Sequence, residues 1–182
     1  EYKIIAITST KTTLWQMADK IGFEVVEHPE IGGRFTGTSV VAYLPAAMMG
    51  IDVDKIDNAA RKAYQDFSST GSIALKFANT IFELEKKGYT EIFMPIYSSR
   101  LYGFAGLITQ LIHESYCKNG KGNTILCAFA PESQHHTNQR LFGGRKNMVA
   151  VFVNVKDNSA IKIYVPKSIS KIKIKNKELG IL

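Results

Sequence analysis

Apolar and polar positions alternate along the chain in short blocks, and the length of each block suits one kind of element. Lys3 to Thr8 is a short β-rich run, and Glu24 to Glu27 reads as a second one. Between them, Thr12 to Ile21 suits a helix that Gly22 ends as its C-cap. From His28 to Arg34 the pattern turns irregular, and the adjacent Gly32 and Gly33 allow backbone angles and close approaches that other residues forbid. Ser39 to Met49 is apolar on most sides and stops at Gly50, which predicts a buried helix kinked at Pro45. Asp54 to Phe67 predicts a more polar helix.

Ser68-Ser69-Thr70-Gly71 marks the internal boundary. Beyond it Ile73, Phe77, Ile81 and Leu84 fall at helical spacing, up to Gly88. Ile92 to Ile96 reads as a buried strand, and Leu101, Phe104, Ile108, Leu111 and Ile112 mark a long helix after it. Asn119 to Gly122 is a turn, and Thr124 to Ala130 and Asn147 to Val155 are strands. Strands separated by helical segments argue for an α/β fold, with parallel strands covered on both faces in a three-layer αβα arrangement.

Charge adds little to this. The net charge of +7 is uneven: from Lys156 onward seven lysines face only Asp157 and Glu178. The excess sits in a Lys/Ile-alternating stretch, Lys171 to Lys175, which reads as an edge strand or solvated face, and lysines on an edge block unwanted pairing. No aromatic residues interleave a basic patch, so no nucleic-acid partner is expected. No apolar run is long enough for a membrane span. Cys117 and Cys127 do not make a disulfide framework, which points to a reducing, cytoplasmic setting.

Ligands of open α/β sheets bind beyond the carboxyl ends of the strands, so the loops after Glu27, Ile96 and Ala130 are where chemistry is expected. The first holds Gly32-Gly33-Arg34-Phe35-Thr36. The second leads into the helix that ends Gln110-Leu111-Ile112-His113-Glu114-Ser115, and the third holds Pro131 to Gln139 with Glu132, His135 and His136. Taken singly, each has a plainer explanation: a structural arginine, an exposed glutamate, histidines that are surface residues or a helix N-terminal cluster. Glu132, His135 and His136 do not have the spacing of a zinc site, so no metal is expected. Ser9 to Thr13 opens a helix and suits N-capping better than phosphate binding, since it lacks the glycines of a phosphate loop. Cys117 reads as a buried small residue rather than a nucleophile. On proximity to His135 alone, Glu132 is the choice for a catalytic base.

The combination carries more than its parts. Ile31-Gly32-Gly33-Arg34-Phe35-Thr36, followed by Ser39 and the small-residue stretch Leu44 to Asp52, resembles the signature of the glucose-6-phosphate (phosphoglucose) isomerase family. Gln110-Leu111-x-x-Glu114-Ser115-x-x-Lys118 is similar to that family's Gln-x-x-x-Glu-Ser-x-Gly-Lys segment, and Gln134-His135 with Gln139 to its Gln-His segment. The three stand in family order from Glu1 to about Val155. Two departures are visible: Cys117 replaces the glycine before Lys118, and His136 stands where a small residue is usual.

The resemblance implies sugar isomerase (SIS) domains with doubly wound parallel sheets. Residues 1–67 would close a first such domain, 68–165 would form part of a second, and 166–182 would be a basic tail. It implies interconversion of glucose 6-phosphate and fructose 6-phosphate through a cis-enediol(ate), without metal or organic cofactor. It makes Glu114 the base that carries a proton between C1 and C2. Arg34 would stabilise charge developing on oxygen, and His135 would move the proton that opens the sugar ring. Gln110 and Gly33 would bind substrate. A homodimer is implied, with the histidine supplied across its interface. The alternative within the same resemblance is an SIS module that binds sugar phosphate without chemistry. The resemblance also implies an incomplete enzyme. The family's Ser/Thr-rich phosphate loop would lie upstream of Glu1, and nothing after Val165 resembles its C-terminal lysine helix.

Overall fold

The computed structural model describes residues 2–156, together with the backbone of Lys162–Tyr164 and Glu178–Gly180. The chain divides into two units, Glu1–Asn79 and Thr80–Leu182.

In the first unit, β1 (Ile5–Thr8) and β2 (Glu24–Glu27) pair in parallel, with Ile5 opposite Glu24 and Thr8 opposite Glu27. Helix α1 (Thr13–Ile21) makes the crossover and packs on both strands. Thr12 caps α1: its hydroxyl accepts the Trp15 N–H at 3.2 Å and lies 2.7 Å from the Thr8 hydroxyl. Gly22 ends the helix with φ at +83°, and the next N–H, that of Phe23, reaches back to the Ala18 carbonyl at 2.8 Å. A 3-10 turn follows over Gly33–Thr38, then α2 (Val40–Met48), capped by Ser39, and α3 (Val53–Phe67), capped by Asp52. Lys55 donates to Asp52 from both its backbone and its side chain, and these bonds hold the Asp52 carboxyl below the usual range.

The expectation of a buried helix at Ser39 to Met49 needs correction. No residue of α2 is buried, and Met48 and Met49 are three-quarters and almost three-quarters exposed. A two-stranded sheet offers too little surface to cover an apolar helix, and α2 packs mainly on the 3-10 turn, with a smaller contact to α3.

Helix α4 (Ile73–Lys86) spans the division, and the second unit is built on a parallel sheet in the order β4-β3-β5. Its strands are β3 (Glu91–Ile96), β4 (Thr124–Phe129) and β5 (Met148–Ala150). Helix α5 (Phe104–Ser115) joins β3 to β4, and α6 (Glu132–Gly143) joins β4 to β5. The first crossover moves one way from β3, and the second returns past it. With right-handed crossovers this puts the two helices on opposite faces of the sheet. Ile92, Met94 and Ile96 pack with Ile125 against Ile81, Ala105, Ile108 and Ile112, while Phe93 and Pro95, which point the other way, are fully buried too. Both faces of β3 are covered, and the fold class is the expected α/β three-layer one.

Residues 132–139, placed in the loop after Ala130, are instead the start of α6, which matches the alternative that the paired histidines form a helix N-terminal cluster. The sequence Glu-Ser-Gln-His-His-Thr-Asn-Gln-Arg carries no apolar stripe, so its helical character was not visible as periodicity. What ties the helix down is remote in sequence. Arg140 donates to Glu91 at 2.8 Å, to Asn147 at 2.6 Å and to the Arg145 carbonyl at 2.8 Å, and Asn147 donates to Glu91 at 2.9 Å. This network binds α6 to the starts of β3 and β5. The strand expected over Asn147 to Val155 is regular only at Met148–Ala150 and continues as a bridge between Val153 and Ile96. A short antiparallel pair joins β6 (Lys162–Tyr164) to β7 (Glu178–Gly180). The expected strand at Lys171 to Lys175, and most of the basic tail 166–182, lie outside the described residues.

Candidate active site

A crossover helix runs back against the direction of its strands, so its two ends serve opposite edges of the sheet. The end of α5 lies at the amino edge. There His113 Nε2 accepts the Ile125 N–H at 3.2 Å, at the beginning of β4. Gln110 and Glu114 stand exposed on this last part of α5, one turn apart, and Gln110 Nε2 donates to Glu114 Oε1 at 3.2 Å. The expected common face is therefore real. The segment after them is held by its own contacts: Tyr116 donates to Asn123 Oδ1 at 2.7 Å, Asn123 Nδ2 to the Tyr89 carbonyl at 2.9 Å, and the Gly122 N–H to Glu85 at 2.7 Å.

Cys117, the departure from the family pattern, sits in this segment and donates to the Asn123 carbonyl at 3.3 Å. Gly122 makes room for it, since a Cβ there would lie 2.6 Å from Cys117 Sγ. Burial, then the Glu85 charge, pushes the Cys117 thiol up from its ordinary value, and burial does the same to Cys127. Both are free thiols, and a protonated thiol is a poor nucleophile. Cys117 is only half-buried, so the buried position expected of it is corrected, while its raised thiol fits the reading that it is no nucleophile.

His135 lies at the other edge. Strand β4 ends at Phe129, the Ala130 N–H donates to the Ile96 carbonyl at 3.0 Å, and α6 begins at Glu132. Glu132, His135 and His136 stand on its first turns, and Ser133 is buried. Gln134 accepts a hydrogen bond from the Tyr97 hydroxyl, and the His136 ring nitrogen Nδ1 lies 2.8 Å from the Thr137 hydroxyl. Five residue steps of β4 separate the two edges, about 16 Å at 3.3 Å per step. Within one chain, then, Glu114 and His135 do not meet, and the expectation that the helix after β3 delivers Gln110 and Glu114 to the carboxyl edge is corrected. The signal was available in the sequence, because the direction of a crossover helix follows from the parallel pairing.

Arg34 and Gly33 belong to the first unit, on the 3-10 turn Gly33–Thr38. The turn is closed by the Phe35 N–H to the Gly32 carbonyl at 2.8 Å and by the Thr36 hydroxyl to the Gly33 carbonyl at 2.8 Å. Ser39 locks its end, donating to the Thr36 carbonyl at 2.8 Å while capping α2. Gly33 is exposed, and a Cβ on it would meet no atom within 4 Å. The packing of the unit therefore does not ask for glycine at that position. Among the described residues no group of three His, Cys, Asp or Glu side chains could hold a metal ion, and no helix is long and apolar enough to cross a membrane. Tyr97 escaped the sequence reading; its place just past the carboxyl end of β3 was the one signal for it.

No family model matches the chain. Individual relatives do. The glucose-6-phosphate isomerase of Acholeplasma laidlawii is 33% identical over 185 residues, which take in 98% of this chain and 44% of that protein. The glucose-6-phosphate isomerase of Latilactobacillus sakei is 35% identical over 88% of this chain and 37% of its own length. That of Lactiplantibacillus plantarum is 32% identical over 91% and 38%. Among solved structures, a hypothetical protein from Thermus thermophilus superposes with a TM-score of 0.79 at 26% identity, over 90% of this chain and 41% of that one. The chain spans about two fifths of the length of these proteins. The resemblance first carried by the Gly-Gly-Arg-Phe-Thr, Gln-x-x-x-Glu-Ser and Gln-His segments thus extends along the chain, which is a relative of the glucose-6-phosphate isomerases and matches a portion of their length.

Proposed function

We propose that this chain is part of a glucose-6-phosphate isomerase of glycolysis and gluconeogenesis, acting in the cytoplasm as a homodimer of SIS-type domains. Residues 1–67 close the first such domain and residues 68–165 contribute to the second. Glu114 takes the proton from C2 of glucose 6-phosphate and returns it to C1, and Gln110 fixes a sugar hydroxyl or the phosphate beside it. The guanidinium of Arg34 stabilises the enediolate oxygen, and the open backbone at Gly33 lets substrate approach closely. His135 moves the proton that opens the ring. No cofactor enters the scheme.

The observation that carries this reading is the pairing of Gln110 with Glu114 at one edge of the sheet while His135 stands at the other. A sugar a few ångströms across cannot touch both in one chain, so both act on it only when a second chain brings its own α6 to the α5 edge. Glu132 stands with His135 and offers the rival base.

The test is isomerase activity of the full-length gene product on fructose 6-phosphate, with Glu114→Gln and Glu132→Gln beside the unaltered protein. The first change is expected to lower kcat by roughly two to four orders of magnitude, the usual worth of a general base, and the second by much less. Damage confined to Glu132→Gln overturns the assignment of the base. No turnover by the unaltered protein, with sugar phosphate still bound, leaves the non-catalytic binding module.

A further inference from the structure

The first turn of α6 carries His135 and is closed locally by the backbone alone, the Gln134 N–H donating to the Pro131 carbonyl at 3.0 Å. The residue before the helix is Pro131, whose side chain makes no capping hydrogen bond, so the turn lacks the side-chain acceptor that usually fixes a helix start. The anchor comes from across the sheet, where the Tyr97 hydroxyl donates to Gln134 Oε1, on the residue next to His135. Tyr97 is itself fixed at both ends. Its backbone N–H donates to the Val153 carbonyl at 2.8 Å, extending the β3–β5 ladder, and its ring lies on Phe152 with centroids 6.4 Å apart. A phenol on a strand end that is held in two places is a rigid support, and rigid supports are what a proton-transferring imidazole needs.

We propose that Tyr97 is a positioning residue for His135: its hydroxyl, through the Gln134 amide, sets the angle at which the first turn of α6 presents the imidazole. The inference rests on the reading of His135 as the ring-opening group. Opening the ring and moving the C1–C2 proton are separate steps with separate groups, so Tyr97 bears on the first and not the second.

The test uses the full-length gene product with Tyr97→Phe, which keeps the ring on Phe152 and removes only the hydroxyl, and with Gln134→Leu, which removes the acceptor. Two substrates separate the steps: fructose 6-phosphate, which must be opened, and 5-deoxyfructose 6-phosphate, which lacks the hydroxyl that closes the ring. Both variants should lose about tenfold in kcat on the first and less than about twofold on the second, as for a modest misplacement of a reacting group. In parallel, the His135 imidazole resonances should shift in both variants while those of His113, held on β4, stay in place. Equal losses on the two substrates, or an unmoved His135 signal, overturn the proposal. Should the unaltered protein turn over neither substrate, the isomerase reading falls, and the His135 resonance still decides whether Tyr97 orients that side chain.

Discussion

Replacing Gly122 by alanine strikes the segment where Cys117 stands in place of the family's glycine. Gly122 has φ at +105°, outside the range natural to an L side chain, and a Cβ added there would lie 2.6 Å from Cys117 Sγ and 2.7 Å from Cys117 Cα. The left-handed backbone costs about 1–2 kcal/mol. Forcing a methyl group against a backbone carbon adds about 1–3 kcal/mol, and the stiffer unfolded chain returns about 0.4–1 kcal/mol. The net expectation is a loss of about 1–5 kcal/mol, large against the whole stability of a domain. Urea unfolding followed by far-ultraviolet circular dichroism is the suitable assay, since the single tryptophan, Trp15, lies in the other unit and would not report on this one. Adding Cys117→Gly removes the clash with sulfur but leaves the clash with the backbone carbon and the strained φ. It should therefore restore only about 1 kcal/mol in a double-mutant cycle. A loss below about 0.5 kcal/mol for Gly122→Ala, or full rescue by Cys117→Gly, would refute the account of how Cys117 is accommodated.

Arg34→Lys should lower kcat more than it raises KM, since an ammonium cannot reproduce the planar fork where charge develops; steady-state kinetics on fructose 6-phosphate measures the split, and unchanged kcat returns Arg34 to a structural role. Arg140→Met should destabilise the second unit by about 1–2 kcal/mol, because Glu91 and Asn147 lose a charged donor at a site one-third exposed, as urea unfolding would record. Burial holds the Cys127 thiol above its ordinary value, so the folded state favours the protonated form. As pH rises past the ordinary thiol value the unfolded chain ionises first, so stability falls there. The melting temperature of the unaltered protein should drop more from pH 8 to pH 10 than that of Cys127→Ala, and parallel drops would contradict the burial argument.

What could be read in the sequence was what short-range chemistry dictates. The cap at Thr12, the glycine stop at Gly22 and the Gln110–Glu114 pair all follow from spacings of three or four residues, and each is found as expected. The buried strand at Ile92 to Ile96 was legible because it is apolar on both faces. Helix α6 was not, because its ties come from far away along the chain, Tyr97 at its start and Glu91 and Asn147 at the Arg140 end. Helix α2 misled for the converse reason: its apolar residues advertise burial, and the small sheet of its own unit does not supply it. For the site, the residue types were legible in local motifs, and their places only through the direction that parallel pairing gives a crossover helix. Glu114 and His135 lie at opposite edges of one sheet, a fact of topology that no local motif contains.

That separation makes subunit complementation the most direct test of the central claim. The inactive full-length variants Glu114→Gln and His135→Ala would be unfolded together, refolded as a mixture and assayed on fructose 6-phosphate. If each site takes Glu114 from one chain and His135 from its partner, a mixed dimer holds one intact site of two, and an equal mixture should regain about a quarter of the unaltered activity. If both residues serve a site within one chain, every site in the mixture lacks one of them. Activity that stays at the sum of the two separate variants would contradict the account.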